Sequence, residues 1–216
     1  MPNRFTLALA LICLAGPLAA QDMAGAADHP IVTRYPGSVI RWTAKLNHLA
    51  YRLPIGPVTG YRQVAKGLDV EGQVTRIYYT LDGTARTDDE VYRNYRTAFE
   101  RGGFEILSAG YVPAGRRGPD VGGPTHREAL YQANPWNDAR GAVNEMARGS
   151  ATSGGGGVIM ARKARGADTA YVVVTVYRFR ADRISTLVDV IEVSAAETGL
   201  VTVDAAAIRA GMAADG

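Results

Sequence analysis

"AYVVVTVYRFRADRISTLVDVIEV", Ala170 to Val193, is the stretch on which the fold turns. In Ala170–Phe179 and again in Ile184–Val193, both alternating sets of residues are apolar. That is the pattern of a strand covered on two faces rather than one. "RADR" (Arg180 to Arg183) between them reads as a hairpin connection. The expectation is an antiparallel sheet with helices packed on it.

A helix that could dock there is spelled by "TDDEVYRNYRTAFERGGFEIL", Thr87 to Leu107. At 100° per residue, Val91, Tyr92, Tyr95, Ala98 and Phe99 share an arc of about 120°, the width of a docking face. Arg93, Asn94, Arg96, Thr97, Glu100 and Arg101 take the other side. Thr87 with Glu90 makes a capping box, and Gly102 or Gly103 supplies the left-handed stop. The tyrosines then serve as anchors and the arginines as a solvated face.

Earlier strands are legible by alternation. Ile40, Trp42, Ala44 and Leu46 alternate with polar residues, and "LPIGP" (Leu53 to Pro57) ends that run. In Leu68–Leu81 the apolar phase flips near Thr75-Arg76, which predicts a β-bulge or two strand segments. Gly110–Glu128 reads as a glycine- and proline-rich loop, with helical character from Arg127 to Asn134 and after Pro135 to about Arg148. "GSATSGGGG" (Gly149 to Gly157) reads as a flexible connection. A short helix capped by Asp204 closes the chain.

The ends and composition bound the class. "MPNRFTLALALICLAGPLAA" has a basic start, a short apolar run and small residues, the layout of a secretory signal peptide cleaved near Ala20. Its apolar run is shorter than the ~20 residues a membrane span needs. The one cysteine, Cys13, lies inside it, so a processed chain has no thiolate chemistry. Residues 21–27 read as a flexible leader and 28–216 as one α+β domain, mainly antiparallel. The net charge is +3 and no basic block is long enough for a nucleic-acid tail.

Motifs for chemistry are scarce. His29, His48 and His126 sit in unrelated contexts without metal-ligand spacing, and Asp28-His29 reads as a local turn contact. Gly154–Gly157 lacks the lysine and the following helix of a phosphate loop. Ser150 and Ser153 have no rigid setting for a nucleophile, and Asp88-Asp89 is explained by a helix start. No catalytic, cofactor or metal residues are therefore assigned. Arg178, Arg180 and Arg183 gather at the last hairpin, either as an anion-binding tip or as charges guarding a strand end.

"DHPIVTRYPGS" (Asp28 to Ser38), "EGQVTRIYY" (Glu71 to Tyr79), "EVYRNYRTAFERGGFEIL" (Glu90 to Leu107) and "VDVIEV…ETGLVTVDAAAI" (Val188 to Ile208) resemble an uncharacterised exported domain of proteobacteria. In relatives that domain often precedes an OmpA-like peptidoglycan-binding domain. The resemblance implies a periplasmic, possibly outer-membrane-associated place and an architecture, without catalytic residues to carry over. Gly216 falls where fused relatives begin the OmpA-like part, whose peptidoglycan-holding aspartate and arginine have no counterpart here.

The leading expectation is a non-enzymatic envelope module, binding an envelope protein or a glycan such as peptidoglycan. Its interaction surface would draw on Tyr78, Tyr92, Arg93, Arg96, Arg178, Arg180 and Arg183. The alternative is a small-ligand or glycan binder using Tyr78, Tyr79, Tyr92 and Tyr95, and the third is an enzyme with a dispersed site. None of these readings involves nucleic acid, a cofactor or a membrane span.

Overall fold

The computed structural model describes residues 21–61, 63–116, 118–135, 146, 154–166, 168–193 and 200. The expected signal segment, most of the stretch after Pro135 and the closing helix lie outside them. In chain order the elements are β1 (Val39–Leu53), β2 (Val58–Gly60), β3 (Gln63–Val64), β4 (Leu68–Asp82), α1 (Asp88–Arg101) and β5 (Glu105–Val112). Then come α2 (Pro124–Ala133), β6 (Gly156–Arg165), β7 (Asp168–Arg180) and β8 (Arg183–Val193). Six strands form one antiparallel sheet in the order β1-β4-β8-β7-β6-β5, and β2 pairs with β3 separately.

The opening stretch is the middle of this sheet. β7 and β8 turn back on each other through Ala181-Asp182, and β4 and β6 flank them. Val172, Val174, Val176, Val188 and Val190 face one way, under Val91, Tyr92, Tyr95 and Phe99 of α1. Val173, Tyr177, Leu187 and Ile191 face the other way, with Leu130 and Tyr131 of α2 and with Met146. Each fully buried side chain of this size contributes roughly 1.5–3 kcal/mol, so covering both faces is where the stability comes from.

α1 begins as its sequence requires: the Thr87 hydroxyl accepts from the Glu90 backbone N–H (3.0 Å). The other half of the capping box does not form, because the Glu90 carboxylate accepts from Tyr35 and Arg86 instead. Gly103, not Gly102, takes the left-handed conformation (φ 69°). Ala98 is exposed rather than packed, at the margin of the docking face.

Three sequence expectations are corrected. β4 has no bulge: its register with β8 is unbroken from Gly72 to Asp82. Its phase flip arises because the strand is covered on both faces, with Ile77 and Tyr79 toward α1 and Val74 and Tyr78 toward α2. The bulges belong to β1, which carries an extra residue against β4 between Ile40 and Trp42 and again between Leu46 and Leu49. Leader residues are tied to the outer rim of β1, where no strand among the described residues pairs. The Met23 N–H donates to the Ile40 carbonyl, and the Ile40 N–H donates to Asp22 (both 2.8 Å). At the other end of that rim, the Asn134 side-chain amide accepts from the Arg52 N–H and donates to its carbonyl, as a neighbouring strand would.

Gly156 and Gly157 are strand, not linker. A Cβ on Gly157 would lie 2.6 Å from the Tyr92 ring, and one on Gly156 would lie 2.8 Å from the Arg127 guanidinium. The glycines are there so that α1 and α2 can close on β6 from both sides.

Candidate functional site

The seven residues expected to form an interaction surface are dispersed. Tyr78 is buried on the α2 face, its hydroxyl hydrogen-bonded to Ser185 (2.9 Å). Tyr92 is buried on the opposite face, its ring 5.5 Å from that of Tyr111, and burial holds its hydroxyl above the usual tyrosine range. Arg93 and Arg96 lie on the exposed side of α1, paired one turn away with Asp89 (2.8 Å) and Glu100 (3.0 Å). Such pairs are worth about 0.2–0.5 kcal/mol, which leaves both free to exchange partners.

At the β7–β8 hairpin the three arginines have separate tasks. Arg178 bridges β7 to the start of α1, donating to Asp88 (2.9 Å) and to the Arg86 carbonyl (2.6 Å). Asp88 also accepts from the Tyr111 hydroxyl (2.7 Å), so the helix start is pinned to two strands. Arg183 pairs with Asp82 of β4, which Arg41 of β1 shares. Arg180 at the tip pairs with its neighbour Asp182 (2.8 Å). The tip is thus a set of local ion pairs holding four strands and a helix in register.

The sheet also encloses a polar centre that its sequence conceals. Arg76 of β4 and Asp189 of β8 are cross-strand partners, fully buried, joined by two hydrogen bonds of 2.6 Å. Tyr51 donates a third to the same carboxylate (2.6 Å), and Arg76 donates to the Asn134 carbonyl (3.3 Å). Burial pushes the Arg76 guanidinium down, but Asp189 outweighs it and keeps the group above its ordinary range. Burial, aided by Asp189, pushes the Tyr51 hydroxyl well up. Nearby, Arg127 lies over the Tyr177 ring (4.2 Å) and donates to the Gly122 and Met146 carbonyls, its basicity lowered by burial. With these side chains almost fully buried, the centre serves the cohesion of the sheet.

What does converge on the surface is the strap Asp28–Ser38 against α1. Arg34 donates to both Asp28 (2.9 Å) and Asp22 (2.6 Å), and its guanidinium lies 5.7 Å from the Tyr79 ring. The Tyr79 hydroxyl donates to Asp28 (3.1 Å). The Tyr35 N–H donates to the Tyr95 hydroxyl and the Tyr35 hydroxyl to Glu90, both at 3.0 Å. Between strap and helix runs a shallow depression of about 160 Å³ lined by Thr33, Arg34, Tyr35, Pro36, Asn94, Tyr95 and Ala98. In the sequence, "RYPGS" (Arg34 to Ser38) reads as a turn centred on Pro36-Gly37 and Tyr95 as a docking anchor, but nothing there shows the two meeting. The signal was the exposed side of α1 nearest Tyr95.

Among the described residues, no three histidine or carboxylate side chains gather as a metal site, and no helix is long and apolar enough to cross a membrane. Compared with known proteins, the sequence matches no family profile and no curated protein.

Proposed function

We propose that the chain is an exported α+β domain that acts as a non-enzymatic recognition module of the cell envelope, with a glycan or an envelope protein as partner. The observation that carries this reading is the depression between strap and α1. Its walls are a tyrosine edge, a proline and a small residue, with the Asn94 amide and the Arg34 guanidinium at the rim. Flat rings beside a few oriented polar groups are what shallow recognition surfaces use. The strap is pre-ordered by its ion pairs and tyrosine hydrogen bonds, so docking loses little chain entropy. The resemblance of the same strap and helix to an exported domain found beside OmpA-like domains supports the compartment and the partner class.

Ala98 provides the test, because it is exposed and lines the depression without entering the core. Ala98→Arg should abolish co-sedimentation with purified peptidoglycan, or the crosslink to an envelope protein, while leaving the melting temperature unchanged. Wild-type capture by the Ala98→Arg chain would overturn the reading. The glycan version has its own support in the half-buried Tyr35 ring, and it alone requires sedimentation with peptidoglycan stripped of protein.

A further inference from the structure

At the far end of the same face, past the strap, two depressions of about 250 and about 260 Å³ adjoin. They share one wall, the ion pair between Arg165 at the end of β6 and Glu192 of β8 (2.6 Å). The first is closed on the strap side by His29, Pro30 and Ile31, and Thr75 and Ile77 of β4 also line it. Lys45 of β1 completes it. Lys45 pairs across the strands with Thr75, and its charge reaches His29.

The charges there are arranged unevenly. His29 is largely buried, and its Nδ1 accepts from the Ile31 N–H (3.2 Å). The neutral ring therefore carries its proton on Nε2, aimed at Glu192 Oε2 at 3.5 Å. Glu192 thus answers two cationic or donor groups, Arg165 on one oxygen and His29 on the other. Asp28, on the strap, is spent on Arg34 and Tyr79. Asp168 lies in the second depression, on the other side of the Arg165–Glu192 wall. Among the described residues, no carboxylate lies within ion-pair distance of the exposed Lys45 ammonium, whereas Arg165 and His29 both face Glu192.

We propose that this hollow is a binding site for a small oxyanion, a carboxylate or a phosphate group, held between the Lys45 ammonium and an N–H of the Arg165 guanidinium not used by Glu192, with the His29 ring beside it. Arg165 presents more than one N–H in a fixed fork, so it can keep Glu192 and accept a second anion beside it. The floor contributes the Thr75 side chain, and Ile77 gives the ligand's apolar remainder a surface. An anion seated there favours the charged imidazolium, so binding and His29 protonation reinforce each other. The neighbouring Lys45 and Arg165 charges, which act against that proton in the empty site, are neutralised by the same ligand.

The experiment is a titration of the isotopically labelled full-length chain with sodium phosphate and, separately, sodium acetate, at constant ionic strength set with sodium chloride. The expected result is a saturable shift of the His29 ring and of the Thr75 amide, with tighter binding at pH 5.5 than at pH 8 once the change in phosphate's own charge is taken from the acetate arm. Lys45→Met should weaken binding about tenfold, the scale of one charge-assisted hydrogen bond, while Lys66→Met, remote and exposed, should not. The phosphate and acetate arms decide which oxyanion is preferred. Shifts that are linear, equally produced by chloride, or unchanged in Lys45→Met would overturn the proposal. Because Lys45 is exposed, an unaltered spectrum elsewhere establishes that the variant is folded.

Discussion

Arg76 and Asp189 stand opposite each other in the adjacent strands β4 and β8, buried away from water and salt. Taking both ions out of water is costly, and further hydrogen bonds help to offset that cost: Tyr51 donates to Asp189 and Arg76 donates to the Asn134 carbonyl. Asp189→Asn should therefore destabilise the chain by about 3–5 kcal/mol in urea unfolding, since it strands a buried guanidinium. Arg76→Met combined with Asp189→Leu should cost much less than either single change. An additive double variant would show the pair to be two independent groups. In the sequence, Arg76 marks a break in the apolar pattern of β4 and so predicts a bulge. A buried cation and a solvent-facing one look the same until the partner strand is known. Tyr78 and Tyr92 were equally ambiguous: residue type identifies a ring with a polar tip, but the strand order decides which face it enters.

The helices are legible for a different reason: α1 has a cap, an amphipathic arc and a glycine stop within twenty residues, all local signals. That α1 docks on the sheet was legible, but its close approach to β6 was not, because Gly157 looks like part of a linker. Its lack of a side chain is instead the complement of Tyr92. Gly157→Ala should lower stability by about 1–3 kcal/mol through overpacking against that ring, read as a drop in melting temperature. Tyr92→Leu in the same chain should recover part of the loss. The surface depression depends likewise on two elements that are distant in sequence, the strap and α1. No single window of residues could display it, although each half carries a recognisable motif.

For the whole molecule, acid is the informative stress. Burial holds His29 and His126 below the ordinary histidine value of 6.5, in His126 against the opposing effect of its hydrogen bond to the Pro54 carbonyl. The unfolded chain then takes up these protons first, so the stability is complete above about pH 6.5 and declines as pH falls below it. Asp22 adds a second loss: the Arg34 hydrogen bond, then the Ile40 N–H, keep its carboxyl below the ordinary 3.8. That contribution is present above pH 3.8 and disappears on further acidification. Melting temperatures measured from pH 8 to pH 5 should fall in the wild type and fall less in His29→Gln. Hydrogen exchange should rank the same architecture, with β7 and β8 amides opening only on global unfolding and the Thr43–Ala50 span of β1 exchanging fastest.

That span has a consequence for how copies of the chain behave together. β1 borders the sheet, and a bordering strand with regular spacing can recruit an identical strand and seed a fibril. Here Asp22 and Met23 occupy one end of the rim and Asn134 the other. Between them the extra residue after Leu46 puts the backbone out of step, and Lys45 adds a charge that an identical neighbour would have to face. A fibril-templating strand needs an unbroken repeat, and β1 offers none, so concentrated solutions should remain free of thioflavin-positive aggregates for as long as the sheet stays folded.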